Sequence, residues 1–147
     1  MDESRFPLFV RLTGKKAVVI GGGKVALRRG AVLREFGAEV TVIAPAMESL
    51  LEGAQLLFRP YAPGDLEGAW LAVAATDDPE VNAAVGREAR AGGVLFNRAD
   101  DRTDCDFFFP AICRGGALVA GLVGDGTDHR KVASAAREVR RILEEMK

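Results

Sequence analysis

The sequence predicts an α/β fold, in which a doubly wound parallel sheet is followed by a small α+β segment of one hairpin and one helix. Short continuous apolar runs alternate with segments of helical periodicity, a pattern typical of strands that are buried on both faces. A run of three glycines, Gly21 to Gly23, separates the first strand from the first helix. We expect residues 1–103 to form the sheet domain and residues 104–147 the appended segment.

The first strand-helix-strand unit is the clearest part of the pattern. Ala17 to Ile20 is a short apolar run that predicts a buried strand. Lys24 to Phe36 has helical spacing and is followed by Gly37, a residue favoured at helix C-termini. Val40 to Ile43 is β-branched and predicts the second strand. The predicted helix carries apolar groups at Val25, Val32, Leu33 and Phe36, spacings that are close to helical.

Three further strands and one helix complete the predicted sheet. We expect strands at Gln55 to Tyr61, Trp70 to Ala75 and Val94 to Asn97. The helix between the last two begins at Pro79 with Asp78 as its cap, and it ends at Gly92-Gly93. Because parallel strands share a carboxyl edge, ligand-binding residues are expected at Gly21 to Gly23, Ala44-Pro45, Thr76-Asp77 and Asn97 to Asp100.

The periodicity changes after Asp101. Phe107 to Ile112 and Ala117 to Val123 predict a hairpin that turns at Arg114 to Gly116. A helix begins near Asp128, with Val132, Ala135, Ala136, Val139, Ile142, Leu143 and Met146 on its apolar face. A hairpin and one helix cannot bury both apolar faces alone, so we expect this segment to pack against a second subunit in a homodimer.

Composition narrows the class of protein. The net charge of −1 gives no electrostatic reason to expect nucleic acid or an anionic membrane surface as a partner. Acidic residues open the chain and no apolar run approaches the roughly 20 residues of a membrane span, so we expect a cytoplasmic protein. Cys105 and Cys113 match no metal-ligand spacing, and His129 has no second ligand nearby in sequence, so no metal site is predicted.

The glycine turn carries the strongest functional signal. Residues 21–26 fit the pattern Gly-x-Gly-x-x-Ala between a strand and a helix, which is the dinucleotide-binding fingerprint of Rossmann-type sheets. Gly21 permits the tight turn, Gly23 lets the backbone approach a pyrophosphate, and Ala26 keeps the helix close to the sheet. The alternative is a tight strand-to-helix turn without a ligand.

The choice between NAD and NADP stays open at this stage. The second strand ends in Ile43-Ala44-Pro45, without the acidic residue that usually binds the adenine ribose of NAD and without an arginine for NADP. Ala44, Pro45 and Ala46 can line the adenosine pocket through backbone groups. Thr76 and Asp77 are candidates for the nicotinamide side, or Asp77 or Asp78 simply caps the next helix.

Asp100 is the candidate catalytic residue, because it follows a buried strand at the binding edge and its carboxylate can accept or orient a proton. The alternative is an ordinary solvated turn. Arg28 and Arg29 on the first helix either face solvent or contact an acidic substrate.

Several segments, taken in order, resemble the precorrin-2 dehydrogenase family of siroheme synthesis. They are Phe6 to Phe9, Gly21 to Arg29, Val40 to Pro45, Ala74 to Asp78, Asn97 to Asp100 and Phe107 to Ala111. The resemblance implies NAD-dependent oxidation of precorrin-2 to sirohydrochlorin by a homodimer. It also implies that Asp100 is the essential aspartate, and that Lys24-Val25 and Pro45-Ala46 contact the dinucleotide.

The substrate so implied carries eight carboxylates, and we expect Arg28, Arg98, Arg102, Arg114 and the Phe107 to Phe109 run to offer cations and aromatic surface to it. The sequence departs from the family at residues 124–129, where many members have Gly-Gly-x-Ser-Pro, and it has no match to their further helical domain. Ferrochelatase activity is therefore left open. The alternative function is a non-catalytic nucleotide-sensing module.

Overall fold

The computed structural model describes residues 4–146, which form two compact units that divide between Phe107 and Phe108. The first unit contains β1 (Lys16–Ile20), α1 (Lys24–Glu35), β2 (Glu39–Ile43), β3 (Gln55–Leu57), β4 (Leu71–Ala74), α2 (Pro79–Gly92), β5 (Leu95–Arg98) and a 3₁₀ turn (Arg102–Asp104). The second contains β6 (Ala111–Gly115), β7 (Leu118–Leu122) and α3 (His129–Glu145). Within residues 4–146, no helix has the length and apolar character needed to cross a bilayer.

The first unit is built on a five-stranded parallel sheet in the order β3-β2-β1-β4-β5, which confirms the predicted fold class. β1 is central, with Ile20 in register with Ile43 on one side and Ala74 on the other. Val18, Val19, Val42 and Val73 are fully buried, as expected for strands covered on both faces. The strand order reverses between β1 and β4, so the carboxyl ends of these two strands border the crevice of the sheet.

Helix α1 buries Leu33, one of the four apolar positions that mark it in the sequence, and leaves Val32 and Phe36 half-buried. Its buried residues are Ala26, Leu27, Gly30 and Leu33, whereas Val25 is 37% exposed. A Cβ on Gly30 would lie 3.1 Å from Leu51 and 3.6 Å from Val19, so a small residue is needed where the helix approaches the sheet closely. Ala26 and Gly30 complete the buried face, and the spacing of the large apolar residues does not identify these small ones.

Helix α2 begins and ends as predicted. The Asp78 side chain accepts a hydrogen bond from the Glu80 N–H (2.9 Å), and Pro79 occupies the first turn. Gly93 ends the helix in the left-handed conformation at φ +68°, which glycine adopts without a Cβ penalty. These two local signals fix the length of the helix and the point at which β5 begins.

Two strand predictions need correction, and a proline lies near each boundary. Strand β3 stops at Leu57 instead of reaching Tyr61, because the Arg59 N–H turns back to the Leu57 carbonyl (3.1 Å) and Pro60, which follows, has no N–H for a ladder. β6 begins at Ala111 and not at Phe107, since Pro110 precedes it and the Phe107 carbonyl accepts from Asn97 Nδ2 (3.0 Å).

The hairpin of the second unit turns at residues 116–117, two residues beyond the start of the predicted turn. Gly115 lies inside β6, where a Cβ would collide with Leu143 of α3. Glycine is therefore used there for close packing of helix on strand, and Gly116, at φ +57°, makes the turn. The core of this unit consists of Cys113, Ala136 and Leu143.

Candidate active site

The glycine turn lies in the crevice between the ends of β2 and β4. Gly21 has φ +131°, and a Cβ on it would collide with the Ala75 carbonyl. Its N–H donates to the Ile43 carbonyl (3.0 Å), and the Ala75 N–H donates to the Ile20 carbonyl (2.8 Å). Only glycine satisfies both the conformation and the space at position 21, which agrees with the predicted role of this residue.

Gly22 joins the turn to the segment after β2. A Cβ on Gly22 would collide with the Ala46 carbonyl, and the Gly22 carbonyl accepts from the Glu48 N–H (2.9 Å). These main-chain contacts hold residues 44–48 beside the first turn of α1. Ala44 is buried, whereas Pro45 and Ala46 are exposed at the same edge.

Gly23 differs from its two neighbours, because neither conformation nor packing requires glycine there. It is the N-cap of α1 with φ −83° and ψ −176°, which is ordinary extended backbone, and a Cβ would meet nothing within 4 Å. Within the described chain no side chain caps this helix and its first turn has no acidic residue, while Lys24 is exposed there. The open approach and the N–H groups of the first turn fit a dinucleotide pyrophosphate.

Thr76, at the end of β4, is tied to helix α2 by a residue that sequence reasoning missed. The fully buried Asn82 accepts hydrogen bonds at Oδ1 from the Thr76 N–H (3.1 Å) and hydroxyl (2.7 Å), and its Nδ2 donates to the Thr76 carbonyl (3.1 Å). Asp78 performs the capping, and Asp77 is exposed at the edge. An asparagine one turn into a helix, at a buried position, was the signal available in the sequence.

Asp100 follows β5 at this edge, and its side chain is 32% exposed. Arg98 donates to both carboxylate oxygens, from Nε to Oδ1 (2.7 Å) and from Nη2 to Oδ2 (3.1 Å). These bonds from Arg98 outweigh desolvation and, with a further bond from Asn82, hold the pKa of Asp100 below its ordinary value. Asp100 is therefore an ionised carboxylate held in one orientation.

Two of the arginines near this edge, Arg98 and Arg29, have intramolecular partners. Arg98 also donates to Asp104 Oδ2 (2.9 Å) and to the Pro79 carbonyl (3.3 Å), so two carboxylates already neutralise a charge that we expected substrate to meet. Arg29 is half-buried and donates to Asn97 Oδ1 (2.7 Å), and burial lowers its pKa. Arg28 is exposed on α1. Asn97 thus joins α1 to β5.

A crevice at the switch point of a parallel sheet, with a glycine turn opening the next helix, defines a dinucleotide-binding domain of the Rossmann type. A family model described as "Putative NAD(P)-binding" matches residues 8–111. The chain belongs to this NAD(P)-binding family.

Individual relatives come from siroheme biosynthesis. The chain is 40% identical over 145 residues to a "Probable multifunctional siroheme biosynthesis protein HemA" of Ruminiclostridium josui, covering 94% of this chain and 28% of that protein. It is 41% identical over 126 residues to the siroheme synthase of Azotobacter vinelandii, covering 82% of this chain and 27% of that protein. The chain thus spans less than a third of the length of these relatives.

A solved structure titled "SirC, precorrin-2 dehydrogenase" has the same fold. It superposes with a TM-score of 0.78 at 23% sequence identity, covering 96% of this chain and 72% of that one.

Proposed function

We propose that this chain catalyses the NAD-dependent dehydrogenation of precorrin-2 to sirohydrochlorin. The observation that carries the proposal is the fixed Asp100 carboxylate at the same sheet edge as the glycine turn. The kinship with siroheme biosynthesis proteins supports the substrate, and a precorrin-2 dehydrogenase of the same fold supports the reaction.

The chain's own residues bind and orient the reactants in this proposal. Gly21, Gly22, Gly23, Lys24 and Val25 hold the pyrophosphate, and Ala44, Pro45 and Ala46 line the adenosine side. Thr76 and Asp77 border the nicotinamide, which when bound supplies the hydride acceptor. The Asp100 carboxylate contacts the substrate beside the nicotinamide.

We propose NAD and not NADP as the cofactor. The segment 44–50 after β2 contains no lysine or arginine and includes Glu48, whose backbone is bonded to the glycine turn. The 2′-phosphate of NADP would find an acidic residue and no cation in that segment. Calorimetric titration of the two dinucleotides tests this, and tighter binding of NADP would contradict it.

We also propose that the protein is a homodimer assembled through its second unit. Five large apolar side chains of that unit are between 42% and 58% exposed, whereas its core contains only three buried residues among those described. The five are Leu118, Val119, Val123, Ile142 and Met146. A second copy that covers them would complete the core. Sedimentation of the full chain would then give a dimer, and Val119→Asp would shift it toward monomer. A monomer at all concentrations would refute this.

The activity is tested by mixing the full chain with precorrin-2 and NAD and following the absorbance of NADH and sirohydrochlorin. Asp100→Ala is expected to abolish turnover while NAD binding stays unchanged. The matched control is Asp101→Asn, since the Asp101 side chain accepts from the N–H and hydroxyl of Thr103 (3.0 and 2.5 Å) and the amide keeps an oxygen for these bonds. Protein that binds NAD but forms no NADH would refute the proposed function and favour a nucleotide sensor.

A further inference from the structure

Arg98 contacts three different parts of the first unit. Its guanidinium donates to both oxygens of Asp100, to Asp104 in the 3₁₀ turn and to the carbonyl of Pro79, the first residue of α2. The Arg98 side chain is only 11% exposed. Since an arginine has five N–H donors in a rigid planar fork, these contacts use most of them and leave the group one orientation.

Asp104, the second carboxylate that Arg98 contacts, is also bound by another arginine. Asp104 forms a further ion pair with Arg90 of α2, whose guanidinium lies 5.8 Å from the centre of the Phe96 ring. On the other side, Asn82 of α2 contacts Asp100. Asp100 is thus supported from β5 by Arg98 and from α2 by a buried amide.

We propose that Arg98 is a positioning residue, which holds the Asp100 carboxylate as a fixed hydrogen-bond acceptor for the N–H groups of a tetrapyrrole substrate. The inference rests on the proposed function and refines it. It makes Asp100 an orienting anion instead of a proton acceptor, and it replaces the expectation that Arg98 binds substrate carboxylates.

The charges around Asp100 support this role. Arg98 faces it from β5, Asp101 is its neighbour, and Asp104 of the 3₁₀ turn is neutralised by Arg90 and Arg98. Helix α2 contributes the neutral Asn82 amide and the Pro79 carbonyl. The resulting pKa of Asp100 is below its ordinary value, which weakens it as a base near neutral pH. The exposed part of its carboxylate still has lone pairs for N–H donors.

The experiment compares Arg98→Met and Arg98→Lys with the wild-type full chain. Carboxyl-carbon NMR gives the titration of Asp100, and calorimetry with NAD checks that each variant is folded. In Arg98→Met we expect the pKa of Asp100 to rise by about one unit or more, and kcat to fall at least about tenfold. Arg98→Lys keeps the charge but not the fork, so we expect the low pKa to persist while kcat falls.

A double variant separates positioning from direct substrate binding. If Arg98 acts through Asp100, adding Arg98→Met to Asp100→Ala produces no further loss of substrate affinity, which is measurable although Asp100→Ala has no turnover. The matched control is Arg59→Met, which removes an arginine that pairs with Asp65 beyond β3, at the opposite edge of the sheet from β5, and is expected to leave the Asp100 titration unchanged.

An unchanged Asp100 titration in Arg98→Met, unchanged kcat in both Arg98 variants, or an additional loss in the double variant would each overturn the inference. Failure of the proposed function is recognised separately, because it is seen in the wild type as NAD binding without turnover. In that case the NMR titration still decides whether Arg98 controls Asp100.

Discussion

Replacing Gly21 and Gly23 separately by alanine is expected to have different effects. Gly21→Ala should lower the stability of the fold, whereas Gly23→Ala should mainly weaken cofactor binding. At Gly21 the alanine must adopt φ +131°, which costs on the order of 1–3 kcal/mol in a non-glycine residue. Its Cβ also displaces the Ala75 carbonyl, which weakens the 2.8 Å hydrogen bond from Ala75 to Ile20 and costs about 1 kcal/mol more. The sum is about 2–4 kcal/mol, or roughly 6–12 °C in Tm for a chain of this size.

At Gly23 the same substitution meets an allowed conformation and open space, so the change in the free energy of unfolding stays within about 1 kcal/mol. The new methyl group stands where the pyrophosphate is expected, and we predict at least about tenfold weaker NAD binding, a loss of roughly 1.4 kcal/mol. Thermal unfolding by circular dichroism and calorimetric titration measure the two effects. Gly23→Ala with unchanged NAD affinity, or Gly21→Ala with unchanged Tm, would refute the reasoning.

Two further predictions concern other parts of the first unit. Burial opposes ionisation of Glu88, but bonds from the Tyr61 hydroxyl (2.6 Å) and the N–H groups of Gly64 (2.9 Å) and Leu66 (2.8 Å) outweigh it and lower its pKa. The stability that the Glu88 carboxylate contributes is thus present above its unfolded pKa, about 4.3, and is lost as pH falls through the folded pKa. Glu88→Gln should therefore lower Tm at pH 7 but much less in acid. An equal difference in Tm between wild type and variant at both pH values would contradict this. Glu48→Arg, which gives residues 44–50 a cation, is expected to raise NADP affinity relative to NAD in calorimetric titration, and an unchanged ratio would count against a role for that segment in cofactor choice.

Local signals predicted the elements of the fold well. The Asp78 cap, Pro79 and Gly93 fixed α2, and the apolar runs located β1, β2 and β4. The errors arose where contacts between distant residues decide the outcome. Gly30 faces the sheet and Gly115 lies inside a strand because other elements approach them closely, and such proximity is absent from local periodicity.

In the candidate site, too, the local sequence motif was predicted and the contacts between distant residues were not. The glycine turn was recognised because its fingerprint is contiguous, and the structure accounts for the turn at Gly21. Arg29 and Asn97 are 68 residues apart, and the contact of Asn82 with Asp100 also spans two elements. Polar contacts of this kind depend on the folded sheet edge, and so the partners of Asp100 had to be found in the structure.

The backbone bond from the Glu48 N–H to the Gly22 carbonyl, which ties residues 44–48 to the glycine turn, has a consequence for protein engineering. This bond forms with any residue but proline at position 48, and Pro45, Ala46 and Glu48 are exposed. A library randomised at these three positions therefore offers a route to altered coenzyme preference that keeps the backbone bond.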